Sequence, residues 1–143
     1  KIVGRYDKTH LQRHDLRFDA GRALPVFDTP FGKVGVMICA DRRWPEVPRT
    51  LRLQGTRVIL NPTYGMRHRA NTWWMRTKSY ENQCWICFVH PTLSLITNPD
   101  GRVHARRGGK TPGLLVSEID LSKCRTTMLE VRRPELYGPI VGK

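Results

Sequence analysis

Acidic residues are scarce in this chain: 12 Asp and Glu stand against 25 Lys and Arg, for a formal net charge of +13 over 143 residues. No glutamate occurs before Glu46. A chemistry needing a glutamate in the first third of the chain must therefore find its carboxylate elsewhere, or use Asp15 or Asp19, the acids of the polar stretch His10–Ala20. Long apolar runs are also missing, which excludes a transmembrane helix, and the first residues carry no signal-peptide pattern. Secretion is unsupported, and a cytoplasmic location is expected. The excess of positive charge raises an anionic partner. The basic residues are dispersed, however, and runs such as Arg67-His-Arg69 and Arg106-Arg107 are short. No nucleic-acid-binding motif accompanies them, so nucleic acid is not the expected partner, although a basic nucleic-acid-binding module stays an alternative.

Cysteine is present but lacks a metal-binding arrangement. Cys84 and Cys87 form a C-x-x-C without a second Cys or His pair at ligand spacing. Both lie in Gln83–His90, which reads as a strand. Period 2 then points them to opposite faces as buried structural thiols. No metal and no organic cofactor are expected.

The stretch Val34–Glu46 organises the rest. Its apolar run, Val34 to Ile38, reads as a buried strand ending at Cys39, and Pro45 sits where a helix can begin. A thiol at a strand-to-helix corner is rigidly held while its side chain projects into a crevice, as in a nucleophile elbow. A nearby helix N-terminus and basic groups favour a thiolate there. A lone cysteine after an apolar strand is more often simply buried. What reverses that balance is the sequence that follows it.

Asp41, Arg43, Trp44, Pro45 and Glu46 after Cys39 resemble the cysteine signature of the carbon–nitrogen hydrolase (nitrilase) superfamily. Tyr6-Asp-Lys-Thr-His-Leu11 resembles the family's lysine segment, with Lys8 at the catalytic lysine. Asn61-Pro-Thr63, Tyr80-Glu-Asn82, Ser94 with Asn98-Pro-Asp-Gly101, and Arg133-Pro-Glu-Leu-Tyr137 follow in family order. The resemblance implies the C-terminal half of a four-layer α-β-β-α sandwich, an α/β fold. It also implies a homo-oligomer that hydrolyses a small-molecule amide or carbamoyl compound. The implied roles are Cys39 as nucleophile, with Lys8 and the backbone N–H of Ala40 as oxyanion donors. Arg42, Arg43 and Asn61 are the substrate-binding candidates.

Adjacent arginines at 42 and 43 are similar to the N-carbamoyl-D-amino acid amidohydrolase branch, in which they are implicated in holding a substrate carboxylate, a task suited to a guanidinium fork. For Arg42 a surface salt bridge is the equal alternative. Arg43 is expected to brace the elbow through Asp41 or Glu46. Ala40 replaces that branch's Asn, and Asn61-Pro-Thr63 is closer to general amidases. The family's base is a glutamate upstream of the lysine, and nothing before Tyr6 matches it. Residues 1–143 are thus expected to form a partial domain, inactive unless that carboxylate is supplied. A catalytically dead interaction module remains the other possibility.

In chain order the sequence predicts a short strand at Ile2–Tyr6 and a loop over His10–Ala20. Strands at Leu24–Asp28 and Lys33–Cys39 are joined by Thr29-Pro-Phe-Gly32. A helix over Glu46–Gln54 stops at Gly55. Then come a strand at Arg57–Leu60 broken by Asn61-Pro62, a helix over Ala70–Asn82, and strands at Trp85–Val89, Leu93–Thr97 and Arg102–His104. Arg106–Gly113 reads as a loop, Leu114–Ile119 as a last strand, and Asp120 onward as helix or tail.

Overall fold

The computed structural model describes residues 1–66 and 69–142. Part of the basic run at Arg67-His-Arg69 lies outside them. Six strands form one sheet in sequence order: β1 (Val26–Thr29), β2 (Gly32–Val36), β3 (Val58–Pro62), β4 (Trp85–Val89), β5 (Leu93–Thr97) and β6 (Val103–Gly108). The β2/β3 and β3/β4 pairs are parallel and the rest antiparallel. Helices α1 (Glu46–Leu53) and α2 (Ala70–Asn82) make the two parallel crossovers, and a short α3 (Thr127–Glu130) lies near the C-terminus.

Local chemistry sets these boundaries. Thr29 pairs with Gly32 across the β1–β2 turn, where Gly32 adopts φ +112°, a conformation that costs a glycine little. Val47 and Leu51, four apart on α1, both face inward and are buried. Helix α2 ends at Gln83 in the left-handed conformation, φ +49°.

Alternation along the strands divides the apolar residues between two faces. On one face Met37, Ile59, Ile86, Phe88 and Leu95 pack with Val47, Leu51 and Met75 of the helices. Truncating a fully buried residue of this cluster, such as Leu51→Ala, costs about 2–5 kcal/mol. On the other face Val34, Val58, Trp85 and Ile96 are covered by Leu115, Ile119, Leu121 and Cys124. One helix layer on one sheet is the α/β arrangement expected for half of a layered sandwich. Cys84 packs into the helix-side cluster and Cys87 against the other, so the C-x-x-C points to opposite faces.

Four sequence expectations need correction. Ile2–Tyr6 forms no strand; Ile2 and Val3 are exposed and no neighbouring strand pairs with them. Asn61-Pro62 does not break β3, because its two sides end at different places. Pairing toward β2 stops at Leu60, so the N–H that Pro62 lacks faces an edge already free, while pairing toward β4 continues to Val89. Strand β6 runs on to Gly108, with Arg106 and Arg107 opposite Leu95 and Ser94. Leu114–Ile119 lies outside the sheet. Its alternating burial has the strand period, but it lies across the second face, where the Trp85 indole N–H donates to the Asp120 carbonyl at 3.0 Å.

Candidate active site

Strand β2 ends at Val36, and Met37 makes its last backbone bond, to the Leu60 carbonyl. The chain then enters a 3-10 turn, Cys39–Arg43. Cys39 opens that turn with φ +48°, a left-handed conformation that is uncommon for a non-glycine residue and tends to mark functional corners. Ala40 is buried behind it. As the second residue of the turn, its N–H is among the donors the turn itself leaves unpaired.

Asp41 is the anchor of the corner and is fully buried. Its carboxylate accepts from the Ile38 N–H at 2.8 Å within the turn. It also accepts from the Tyr6 hydroxyl at 2.7 Å, the Thr9 hydroxyl at 3.0 Å and the His10 N–H at 2.8 Å, all in the N-terminal segment. The His10 ring stacks on Trp44 with centroids 5.3 Å apart. Burial, together with the neighbouring Asp41 carboxylate, pushes the Tyr6 phenol well above its ordinary range, even though Thr9 bonds pull the other way. These contacts set Lys8 beside the cysteine turn. The Lys8 ammonium pairs with Asp15, and both side chains are largely buried. The Lys8 bond, then the Gln12 N–H, hold the Asp15 carboxyl below its usual value. Tyr6, Lys8, Leu11, Asp15, Phe18 and Ile38 line a cleft of about 480 Å³.

The thiol of Cys39 is only partly buried. Burial pushes it up, but the Arg42 side chain, the Gly65 N–H and the charges of Arg42 and Lys8 pull harder, and its pKa falls below the ordinary thiol value. Burial raises the other three: Cys84 to about 12, and Cys87 and Cys124 in the same direction. Ionisation favours a single cysteine, the one at the strained corner.

The family model for "Carbon-nitrogen hydrolase" matches residues 1–128. The chain belongs to the carbon-nitrogen hydrolase family. The mouse protein "Deaminated glutathione amidase" is 28% identical over 97% of this chain and 52% of its own length. Among solved structures, a carbon-nitrogen hydrolase from Helicobacter pylori G27 superposes with TM-score 0.89, at 20% identity, over 100% of this chain and 62% of that one. A mutant amidase from Nesterenkonia sp. AN1, whose active-site cysteine has added acrylamide, superposes with TM-score 0.81 at 21% identity, over 94% of this chain and 56% of that one. The chain spans about half the length of the curated relatives it matches.

This carbon-nitrogen hydrolase chain brings Cys39, Ala40 and Lys8 to one corner, but it treats the substrate-binding candidates differently. Arg42 has no exposed surface, which fits neither a carboxylate-binding group nor a surface salt bridge. Its guanidinium bonds the Cys39 carbonyl at 2.5 Å, the Gly65 carbonyl at 3.3 Å and Asn71 Oδ1 at 3.3 Å. Arg43 is exposed and meets neither Asp41 nor Glu46; its guanidinium donates to the Met66 sulfur at 2.8 Å. Asp41, one of the two acids it was expected to grip, is already occupied by Tyr6, Thr9 and His10. Asn61 is fully buried and donates to the Met37 carbonyl at 2.6 Å, fastening the end of β3 to the approach to Cys39. Sequence reasoning missed Gly65 and Asn71, since neither type signals chemistry alone. A Cβ on Gly65 would stand 4.0 Å from the Cys39 sulfur.

Proposed function

We propose that Cys39 is the nucleophile of a thiol hydrolase acting on non-peptide C–N bonds, in simple amides or carbamoyl amides. The observation that carries this is the left-handed Cys39 corner, with its thiol favoured toward ionisation and Lys8 docked beside it through Asp41. Sulfur attacks the carbonyl carbon and forms a C–S bond. The developing oxyanion is met by the Lys8 ammonium and the Ala40 N–H, donors in place before charge develops. The C–N bond breaks as the nitrogen takes a proton from a carboxylic acid, leaving a thioester. Water, deprotonated by the same carboxylate, cleaves the thioester and releases the thiolate.

On family resemblance, the carboxylate in this scheme is a glutamate supplied from outside residues 1–143. Asp15 is engaged by Lys8, and its lowered pKa makes it a poor proton acceptor. Its role is to hold the ammonium. Burial of Arg42 removes the support for a dedicated N-carbamoyl amino acid site and favours a simple amide. Arg43, exposed near the corner, is the remaining group for an anionic substrate, and Asn61 acts by positioning. Homo-oligomeric assembly and a cytoplasmic location belong to the same proposal on family resemblance alone.

The test is ammonia or amine release by the complete protein across simple amides, N-carbamoyl amino acids and nitriles, beside its Cys39→Ser variant. Turnover of amides that disappears in the variant supports the reading; turnover that persists overturns it.

A further inference from the structure

Arg42 is a cation taken out of water, and among the described residues no anion is a hydrogen-bond acceptor for it. The Cys39 carbonyl, the Gly65 carbonyl and the Asn71 amide oxygen are all neutral. The rings of Trp74 and Phe88 lie 5.6 and 5.8 Å from the guanidinium carbon, a favourable but weak contact. The nearby carboxylates point elsewhere: Asp41 is enclosed by Tyr6, Thr9 and His10, and Asp15 is paired with Lys8. A guanidinium desolvated in this way is strongly unfavourable unless an opposite charge sits beside it.

Arg52 sharpens the contrast. It too is buried among carbonyls, but they include those of Asn82, at the end of α2, and Thr56, just past α1. Helix C-termini carry partial negative charge. Arg42 instead touches Asn71, in the first turn of α2, so the nearby helix end is the positive one. Two groups beside Arg42 act on its charge: Arg43 opposes it and Cys39 supports it. Cys39 is the one able to become an anion.

We infer that Arg42 is the built-in counter-ion of the Cys39 nucleophile, holding it as a thiolate in the resting protein from three residues along the same turn. This rests on the reading of Cys39 as nucleophile and deepens it. The thiol proton leaves to solvent before substrate arrives, so C–S bond formation requires no proton transfer at sulfur. The external carboxyl group, protonated at rest, then gives its proton to the leaving nitrogen and regains one from the water that attacks the thioester. Lys8 contributes a second positive charge from the N-terminal segment, and the Gly65 N–H steadies the sulfur from the loop after β3. Arg42 is in this sense a positioning residue, acting through the sulfur.

The experiment follows the rate of Cys39 alkylation by iodoacetamide against pH, resolved by peptide mass mapping, in the complete protein. Wild type is compared with Arg42→Met, Arg42→Lys and Asn71→Asp. The last has the shape of the native side chain but places a carboxylate on the guanidinium and competes with sulfur for its charge. The ion pair predicts a wild-type profile that levels off below the ordinary thiol range. Asn71→Asp should shift it upward by about one pH unit, with alkylation slower by about tenfold at pH values below both midpoints. Arg42→Met should shift it further, and Arg42→Lys should recover part of the loss. A folded Asn71→Asp protein with the wild-type profile would overturn the inference, even if Arg42→Met does not fold. If Cys39→Ser retains turnover while the alkylation profile still responds to Asn71→Asp, the hydrolytic reading fails and the ion pair stands.

Discussion

Asp41 accepts the backbone N–H of His10 at 2.8 Å, so a carboxylate in the cysteine turn fixes the main chain two residues past Lys8. The nucleophile and its cationic neighbour are far apart in sequence, and this contact is what makes them one site. Asp41→Asn should therefore disturb both. The new amide group would face donors rather than acceptors, leaving at least one buried N–H or hydroxyl unpaired. The expected loss is about 1–3 kcal/mol of stability, measured by urea denaturation, together with a fall in turnover. Unchanged stability and turnover would remove Asp41 from this role.

Lys8→Met should lower kcat by at least ~100-fold with little change in KM, because an oxyanion donor acts chiefly in the transition state. Asp15→Asn should show a smaller loss of about 10-fold, as the ammonium keeps its charge but loses its anchor. Steady-state kinetics on a simple amide checks both. A loss confined to KM would reassign Lys8 to ground-state binding.

Iodoacetamide should label Cys39 well before Cys84 or Cys87. The Cys39 thiol is lowered, while burial raises the other two and pushes Cys84 to about 12. Peptide mapping that found Cys84 modified first would contradict the electrostatics of the corner.

Cys84 also gives a pH dependence of stability with a definite sign. Its folded pKa lies above the ordinary value of 9.0, so the unfolded chain loses that proton first as pH rises. The Cys84 effect on stability is absent below pH 9 and grows between pH 9 and about 12, to a loss of up to roughly 4 kcal/mol. Cys84→Ala should be less stable near neutrality but should show a shallower alkaline slope, the remainder coming from Tyr6, Cys87 and Cys124, whose folded pKa values are also raised. Denaturant midpoints across that range make the comparison.

Residues 1–143 expressed alone should associate in solution and release no ammonia from amides. Leu60 is 40% and Val89 57% exposed on the sheet face opposite the helices, an apolar surface suited to association. Light scattering and an ammonia assay give the readout. A monomer that turns over amides would show that this stretch contains its own base.

Helix α2 and strands β4 and β5 were legible to the residue, although α2 has no side-chain cap and buries Asn71, Met75, Lys78, Ser79 and Asn82 while Trp73 and Tyr80 stay exposed. The cysteine corner was legible through its neighbours in sequence. Arg42 was not. An arginine beside a reactive corner reads as a ligand-binding group, and its burial depends on Asn71, Trp74 and Phe88, which arrive much later in the chain. Leu114–Ile119 misled for a related reason. Alternation of apolar residues reports one buried side, but not whether that side belongs to a sheet member or to a segment resting on a sheet.

That resting segment bears on the order of folding. The residues meeting Leu115, Ile119 and Leu121 come from β2, β3, β4 and β5, so its docking surface does not exist until strands from much of the chain have paired. The segment adds no strand pairing of its own and closes long loops, contacts of the kind that form late. Its docking is expected to fall after the rate-limiting step. Changes at Leu115 or Ile119 should speed unfolding while leaving the refolding rate nearly untouched.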